Sequence, residues 1–185
     1  MNKKEYKELF KGDLKRYRKV SRFPLFWSKE IKYTHALRKC QYYKDKKMLR
    51  PLYIFWTIYK RHLAYQTHFQ IPDTTTIGPG FYIGHFGRVI INGNAVLGKN
   101  INISTGCTIG GENRGERRGA PIISDNVWIG TNSVIVGHIH IGSDVMIAPN
   151  SFVNFDVPPH SIVIGNPAKI IHRDNATEGY INNKV

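Results

Sequence analysis

The chain has 185 residues, two cysteines, 41% hydrophobic residues and a formal net charge of +14. That length leaves room for one ordinary domain, or for a small domain with an appendage. No run of eighteen apolar residues occurs, and the charged N-terminus lacks the apolar core of a secretory signal, so neither a membrane span nor a cleaved leader is expected. Cys40 and Cys107 form no zinc spacing and give poor grounds for a disulfide, which points to a reduced, cytoplasmic protein.

The charge is unevenly placed. Residues 1–65 hold 19 Lys and Arg against 5 Asp and Glu, whereas residues 66–185 hold 8 of each. The basic part, residues 1–67, reads as helical. Glu5 to Lys19 is polar with good helix formers, and Pro24 breaks it. Ser28 can cap a second helix running to about Lys47. Pro51 suits the first turn of a third, in which Leu52, Phe55, Trp56, Tyr59 and Leu63 approximate an i, i+3, i+4 stripe. Aromatic residues beside so many cations suit peripheral contact with an anionic membrane on the cytoplasmic face. No groove-reading or base-stacking motif accompanies the charge, which argues against nucleic acid.

From residue 68 a different rhythm takes over. A branched aliphatic recurs every sixth residue at Ile71, Ile77, Ile83 and Val89, slips by two, and resumes at Ile91, Leu97, Ile103 and Ile109. After a longer break it runs from Ile123 through Ile129, Ile135, Ile141 and Ile147 to Val153, often with glycine next. A period of six fits neither an amphipathic helix nor one long strand. It predicts a mainly β architecture, a parallel β-helix of hexapeptide repeats over 68–172 behind an N-terminal α-helical segment. Fourteen residues separate Ile109 from Ile123 where one hexad needs six, so 111–121 is expected to leave the coil as a loop rich in glycine and arginine. Loops on rigid scaffolds commonly carry function. The polar tail, 173–185, is expected to be loosely ordered. His138 and His140 alternate, but no cysteine or acidic cluster joins them in sequence, so no metal site is expected.

The hexads, the segment GHFGRVIINGNAVLGKNINISTGCTIGG, the Arg/Gly loop and the closing VPPHSIVIGNPAKII together resemble the serine acetyltransferase branch of the left-handed β-helix acyltransferases. That branch includes polysaccharide O-acetyltransferases. The resemblance implies left-handed coils, homotrimers with active sites between subunits or dimers of such trimers, and acetyl-CoA as donor with no metal required. By resemblance His85 is the general base that takes the acceptor's hydroxyl proton, a role suited to a neutral imidazole. Gly130, Thr131, Ala148 and Pro149 match the positions that hold coenzyme A, and Lys169 is a phosphate partner. Arg114, Arg117 and Arg118 of the loop are placed to meet phosphates or the acceptor.

Three positions depart from the serine-using pattern. Gly84 and Gln70 stand where that pattern carries aspartates, and Ala120 stands where it carries a histidine. A site without groups for the ammonium and carboxylate of serine loses preference for it. The expectation from these residues is therefore a sugar hydroxyl acceptor in surface-polysaccharide synthesis. Free L-serine is the alternative, and a non-catalytic trimeric binding or scaffold protein is the alternative of another class.

Overall fold

The computed structural model describes residues 1–17, 20 and 23–185, with Pro24 described by its backbone alone. Three helices come first, α1 (Lys3–Arg16), α2 (Lys29–Tyr43) and α3 (Arg50–Thr67). The Asn2 side chain accepts from the N–H groups of Lys4 and Glu5 while the Glu5 carboxylate accepts from the Asn2 N–H, a reciprocal cap on α1. The expected end of this helix at Lys19 lies outside the described residues; α1 ends at Arg16. Ser28 caps α2 as expected. That helix stops at Tyr43 rather than near Lys47, because Lys46 leaves helical backbone and Lys47–Leu49 forms a separate 3₁₀ turn. Pro51 sits in the first turn of α3, where its missing N–H would have had no partner.

The rest is a left-handed parallel β-helix. Its first turn holds β1 (Phe69–Gln70), β2 (Thr76–Ile77) and β3 (Tyr82–Ile83). The second holds β4 (Val89–Ile91), β5 (Val96–Leu97) and β6 (Asn102–Ile103). In the third are β7 (Thr108–Gly110), β8 (Ile122–Ile123) and β9 (Val127–Ile129), and in the fourth β10 (Val134–Val136), β11 (His140–Ile141) and β12 (Val145–Ile147). The fifth has β13 (Phe152–Val153) and β14 (Ser161–Gly165), after which β15 (Ala168–His172) returns antiparallel and closes the stack. Among the described residues the strands form three sheets, one per side of a prism.

The hexad aliphatics stack inside as three columns. Ile91, Ile109, Ile135 and Val153 follow Ile71 on one side; Leu97, Ile123, Ile141 and Val157 follow Ile77; and Ile103, Ile129, Ile147 and Val163 follow Ile83. All fifteen are buried. Each contributes on the order of 1.5–3 kcal/mol, so the coil needs no disulfide; both cysteines are buried and free. The ladder also relocates the two-residue slip. Phe69 pairs with Val89 and Gln70 with Ile90, so Ile91, not Val89, continues the column of Ile71. The two extra residues therefore lie in the corner 84–88, which bulges outward and carries His85.

The helices cover the open end of the prism. Tyr33, Ala36, Leu37 and Leu63 join the same buried cluster as Phe69, Ile71 and Ile77. The Tyr33 hydroxyl donates to the Phe69 carbonyl and accepts from the Ile71 N–H. The tail departs from its expectation of looseness and is strapped along the coil. Asp144 accepts from the Ala176 and Thr177 N–H groups and the Thr177 hydroxyl, the Tyr180 ring packs at a tilt against Trp128, and the Asn182 carbonyl accepts from Arg16 Nε. Burial alone would raise the Asp144 carboxyl, but hydrogen bonds from Thr177, His160 and Ala176 outweigh it and hold the group below its ordinary value. Polar composition misled here because the tail docks by hydrogen bonds.

His35 ties the helices together. It stacks on Phe10, meets Trp27 and Trp56 edge-on, and shares a hydrogen bond of 3.0 Å with the Tyr6 hydroxyl. Burial, then the nearby Lys39 charge, lowers its pKa from 6.5 to about 4. The unfolded chain thus binds a proton that the folded chain refuses between these values. Stability is complete above pH 6.5 and falls as the pH drops toward 4, by up to about 3 kcal/mol. Urea unfolding from pH 7 to 4 should show this loss, and His35→Phe should flatten it.

Candidate active site

Each turn has three corners, and successive corners stack into edges. The corner leading from the third strand of a turn to the first of the next forms the edge that matters. Its levels are residues 84–88, 104–106, 130–132 and 148–150. Asn132 N–H donates to the Thr105 carbonyl at 3.0 Å and Asn150 N–H to the Thr131 carbonyl at 2.9 Å, so the levels sit directly above one another. Adjacent strands lie about 4.8 Å apart, which places Thr131 roughly 10 Å and Pro149 roughly 14 Å along the edge from His85. The expected base and the expected donor positions thus share one straight edge.

At the first level the corner is clamped on both sides. Gly87 N–H donates to the Thr67 carbonyl at 2.9 Å, and the Tyr17 hydroxyl donates to the Ile83 carbonyl at 3.2 Å. Gly87 has φ +127, and a Cβ there would run into the Thr105 side chain. His85 itself is exposed and has no hydrogen bond to a described residue. Beside it the Phe86 ring is 69% exposed. Gly84 has the Tyr82 ring against the space a side chain would fill. A cleft of about 520 Å³, lined in part by Arg16, Tyr17, Tyr82, Asn102 and Asn182, opens next to this corner on the outer side of β3 and β6.

Higher on the edge, Gly130 packs so closely on Pro149 that no Cβ fits between them. Below it the buried Cys107 thiol donates to the Gly130 carbonyl at 3.0 Å. Burial pushes that thiol up to about 11, so it acts as packing and not as a nucleophile. Ala148 is buried, and its carbonyl accepts from the hydroxyls of Ser133 and Ser151. Lys169 is exposed on β15, whose hairpin is tied to the top of this edge by the Gly165 N–H to Ser151 Oγ bond.

The other expected residues lie elsewhere in one copy. The loop 111–121 leaves a different edge, between β7 and β8, and folds into a small hairpin in which Glu112 and Gly119 exchange backbone hydrogen bonds of 2.8 and 2.9 Å. Arg114, Arg117 and Arg118 are all exposed on it. His138 N–H donates to the Arg117 carbonyl, which holds the hairpin against the coil. Gln70 faces outward on β1 next to Ile90, in the turn below His85, and Ala120 is buried at the foot of the loop. The rings of His138 and His140 are 5.7 Å apart, and among the described residues no group of three His, Cys, Asp or Glu is placed to hold a metal. Two residues of the His85 edge escaped sequence reasoning. Phe86 is hidden by its ordinary composition, whereas Thr105 is found by counting back from Thr131 across the eight-residue insertion.

The candidate site is thus a clamped, solvent-facing histidine beside a stacked, backbone-rich edge of a parallel β-helix. The comparisons sharpen this. Residues 120–154 match the model of the bacterial transferase hexapeptide family. Serine acetyltransferase 2 of Arabidopsis thaliana is 31% identical over 149 residues, covering 76% of this chain and 46% of that protein. The serine acetyltransferase of Bacillus pumilus is 32% identical over 66% of this chain and 56% of its own length. Among solved structures, the Neisseria gonorrhoeae serine acetyltransferase in complex with serine superposes with a TM-score of 0.70 at 30% identity, covering 91% of this chain and 68% of that one. The chain belongs to the hexapeptide-repeat acyltransferases, in their serine acetyltransferase-like branch. It spans about half the length of the curated relatives it matches.

These relatives correct the expected acceptor. Gly84, Gln70 and Ala120 pointed to a sugar, yet the relatives and solved structures named above are serine acetyltransferases, including one in complex with serine. The inference failed because it counted three missing side chains and gave no weight to other groups that can hold an amino acid. Arginine forks and backbone N–H groups take a carboxylate, and amide or backbone carbonyl oxygens take an ammonium.

Proposed function

We propose that this chain is an acetyl-CoA-dependent serine O-acetyltransferase with His85 as general base. The observation that carries the reading is the single edge on which His85 and the donor positions stack, in a chain whose relatives are serine acetyltransferases. In the proposed reaction the His85 imidazole takes the proton of the serine hydroxyl as its oxygen attacks the thioester carbonyl. The tetrahedral intermediate then collapses. The C–S bond breaks, the coenzyme A thiolate takes the proton from the imidazolium, and O-acetylserine leaves. The coenzyme lies along the edge past Gly130, Thr131, Ala148 and Pro149, with Lys169 near a phosphate.

The proposed assembly is a homotrimer. In one copy the loop arginines and His85 stand on different edges, so a neighbouring copy must bring Arg114, Arg117 or Arg118 to the site. Their planar guanidinium groups suit the serine carboxylate, for which Ala120 offers no donor. The division of labour follows: residues 1–67 cap and position the coil, 68–172 carry the chemistry with loop 111–121, and 173–185 strap the two together. Acetyl-CoA is the only donor required, and a cytoplasmic location suits it.

Release of coenzyme A should depend on free L-serine and yield O-acetylserine. Arg114→Gln, Arg117→Gln and Arg118→Gln combined should raise the KM for serine at least about tenfold, because a charge-assisted bidentate contact is lost. No turnover with serine, or an unchanged KM in the triple variant, would overturn the acceptor assignment or the loop's role respectively.

A further inference from the structure

Helix α3 carries its apolar residues on the wrong side for a simple core helix. Only Leu63 and Thr67 are buried on it, with Trp56, Tyr59 and Ala64 partly packed. Its outer face presents Ile54, Phe55, Ile58 and Tyr65, which are 50–76% exposed. Together with Pro51 and His62 these residues recur at spacings of three and four, and so form one continuous stripe along the helix. Phe55 also lines a cleft with Trp27 and Lys32, and the Lys32 ammonium donates to the Leu25 carbonyl. Leu25 and Phe26, in the 3₁₀ turn there, are 77% and 73% exposed and extend the apolar surface.

The charge around this surface has one sign. From Lys46 to Pro72 the sequence contains Lys46, Lys47, Arg50, Lys60 and Arg61 and not one Asp or Glu. Arg50 and Arg61 are exposed at the border of the stripe. A second copy of this chain is a poor occupant, since matching faces would bring two strongly basic segments together. An anionic partner with an apolar interior fits both properties.

We propose that the outer face of α3, with the Leu25–Phe26 turn, is an interfacial surface that docks the enzyme on an anionic lipid bilayer. Aromatic and aliphatic side chains would enter the boundary between headgroups and acyl chains, and the cations would pair with anionic headgroups. The proposal is independent of which acceptor the active site uses. It also needs no spanning helix: among the described residues no helix is long and apolar enough to cross a membrane.

The test is flotation of the full chain with vesicles of phosphatidylcholine alone or mixed with phosphatidylglycerol. The protein should float with the anionic vesicles, remain behind with the neutral ones, and be released by high salt. Phe55→Glu with Ile58→Glu should lower the bound fraction at least about tenfold, with helicity and acetylation unchanged. Arg50→Gln with Arg61→Gln should lower it roughly fivefold per cation removed. Equal flotation with both vesicle types, or none, would overturn the proposal. So would variants that change the mass in sedimentation and leave flotation unaltered, since that result makes the face an interface between copies.

Discussion

His85→Ala is expected to lower kcat for serine acetylation by about 10²–10⁴, the usual contribution of a positioned general base. The fold should be untouched. His85 is exposed, it has no hydrogen bond to a described residue, and its corner is held by the backbone of Gly87 and Ile83. The melting temperature of the variant should therefore match that of the parent chain. The KM for acetyl-CoA should also hold, because the donor positions lie about two and three turns farther along the edge. Such a loss in kcat alone marks an interaction made only in the transition state. Added free imidazole should restore part of the rate, since the vacated position opens to solvent. A variant within threefold of the parent would remove His85 from the mechanism.

This prediction owes its position to an irregularity of the repeat. Regular hexads announce the prism because each aliphatic must point inward every sixth residue, and Ile77, Leu97, Ile123 and Ile141 do so with no exception. The bulge at 84–88 and the hairpin at 111–121 were legible as interruptions of that count. What the count could not supply was depth along the edge. Thr105 falls directly below Thr131 only when the third-turn insertion is subtracted, and Val89 looks like a column residue until the ladder pairs it with Phe69. Composition failed for a different reason in the tail. Tyr180 and Asn182 are ordinary polar-segment residues whose docking depends on Trp128, Asn102 and Arg16, partners far away in sequence. The acceptor was the least legible feature, because specificity can pass from one side chain to another without altering the fold.

The helical cap supplies the second large effect. Arg38 is fully buried on α2 and forms a two-pronged contact with Asp13 of α1, Nε to Oδ2 at 2.8 Å and Nη2 to Oδ1 at 3.1 Å. Its remaining donors reach the Ile77 and Gly78 carbonyls at 2.7 Å, and Asp13 Oδ1 also accepts from the Phe81 N–H. One ion pair thus joins two helices to the first turn of the coil. Desolvation costs both charges dearly, and the pair persists because every prong has a partner. Arg38→Ala should therefore destabilise the chain by about 3–5 kcal/mol, since it strands a buried carboxylate and two carbonyls. Asp13→Ala should cost a similar amount. The double variant Arg38→Met with Asp13→Leu should recover much of the loss, because no charge then remains buried without its partner. Urea unfolding of the three variants reads this out. If the single variants lost less than about 1 kcal/mol, the cap would be held by apolar packing of Tyr33, Leu37 and Leu63 and not by the pair. The same cap supports the proposed active site, because Tyr17, the residue that caps the end of α1, is one of the two clamps on the corner of His85. Near the unfolding midpoint the singly substituted chains should lose acetylation in step with the fluorescence of Trp27 and Trp56, whose rings sit in the same helical cluster.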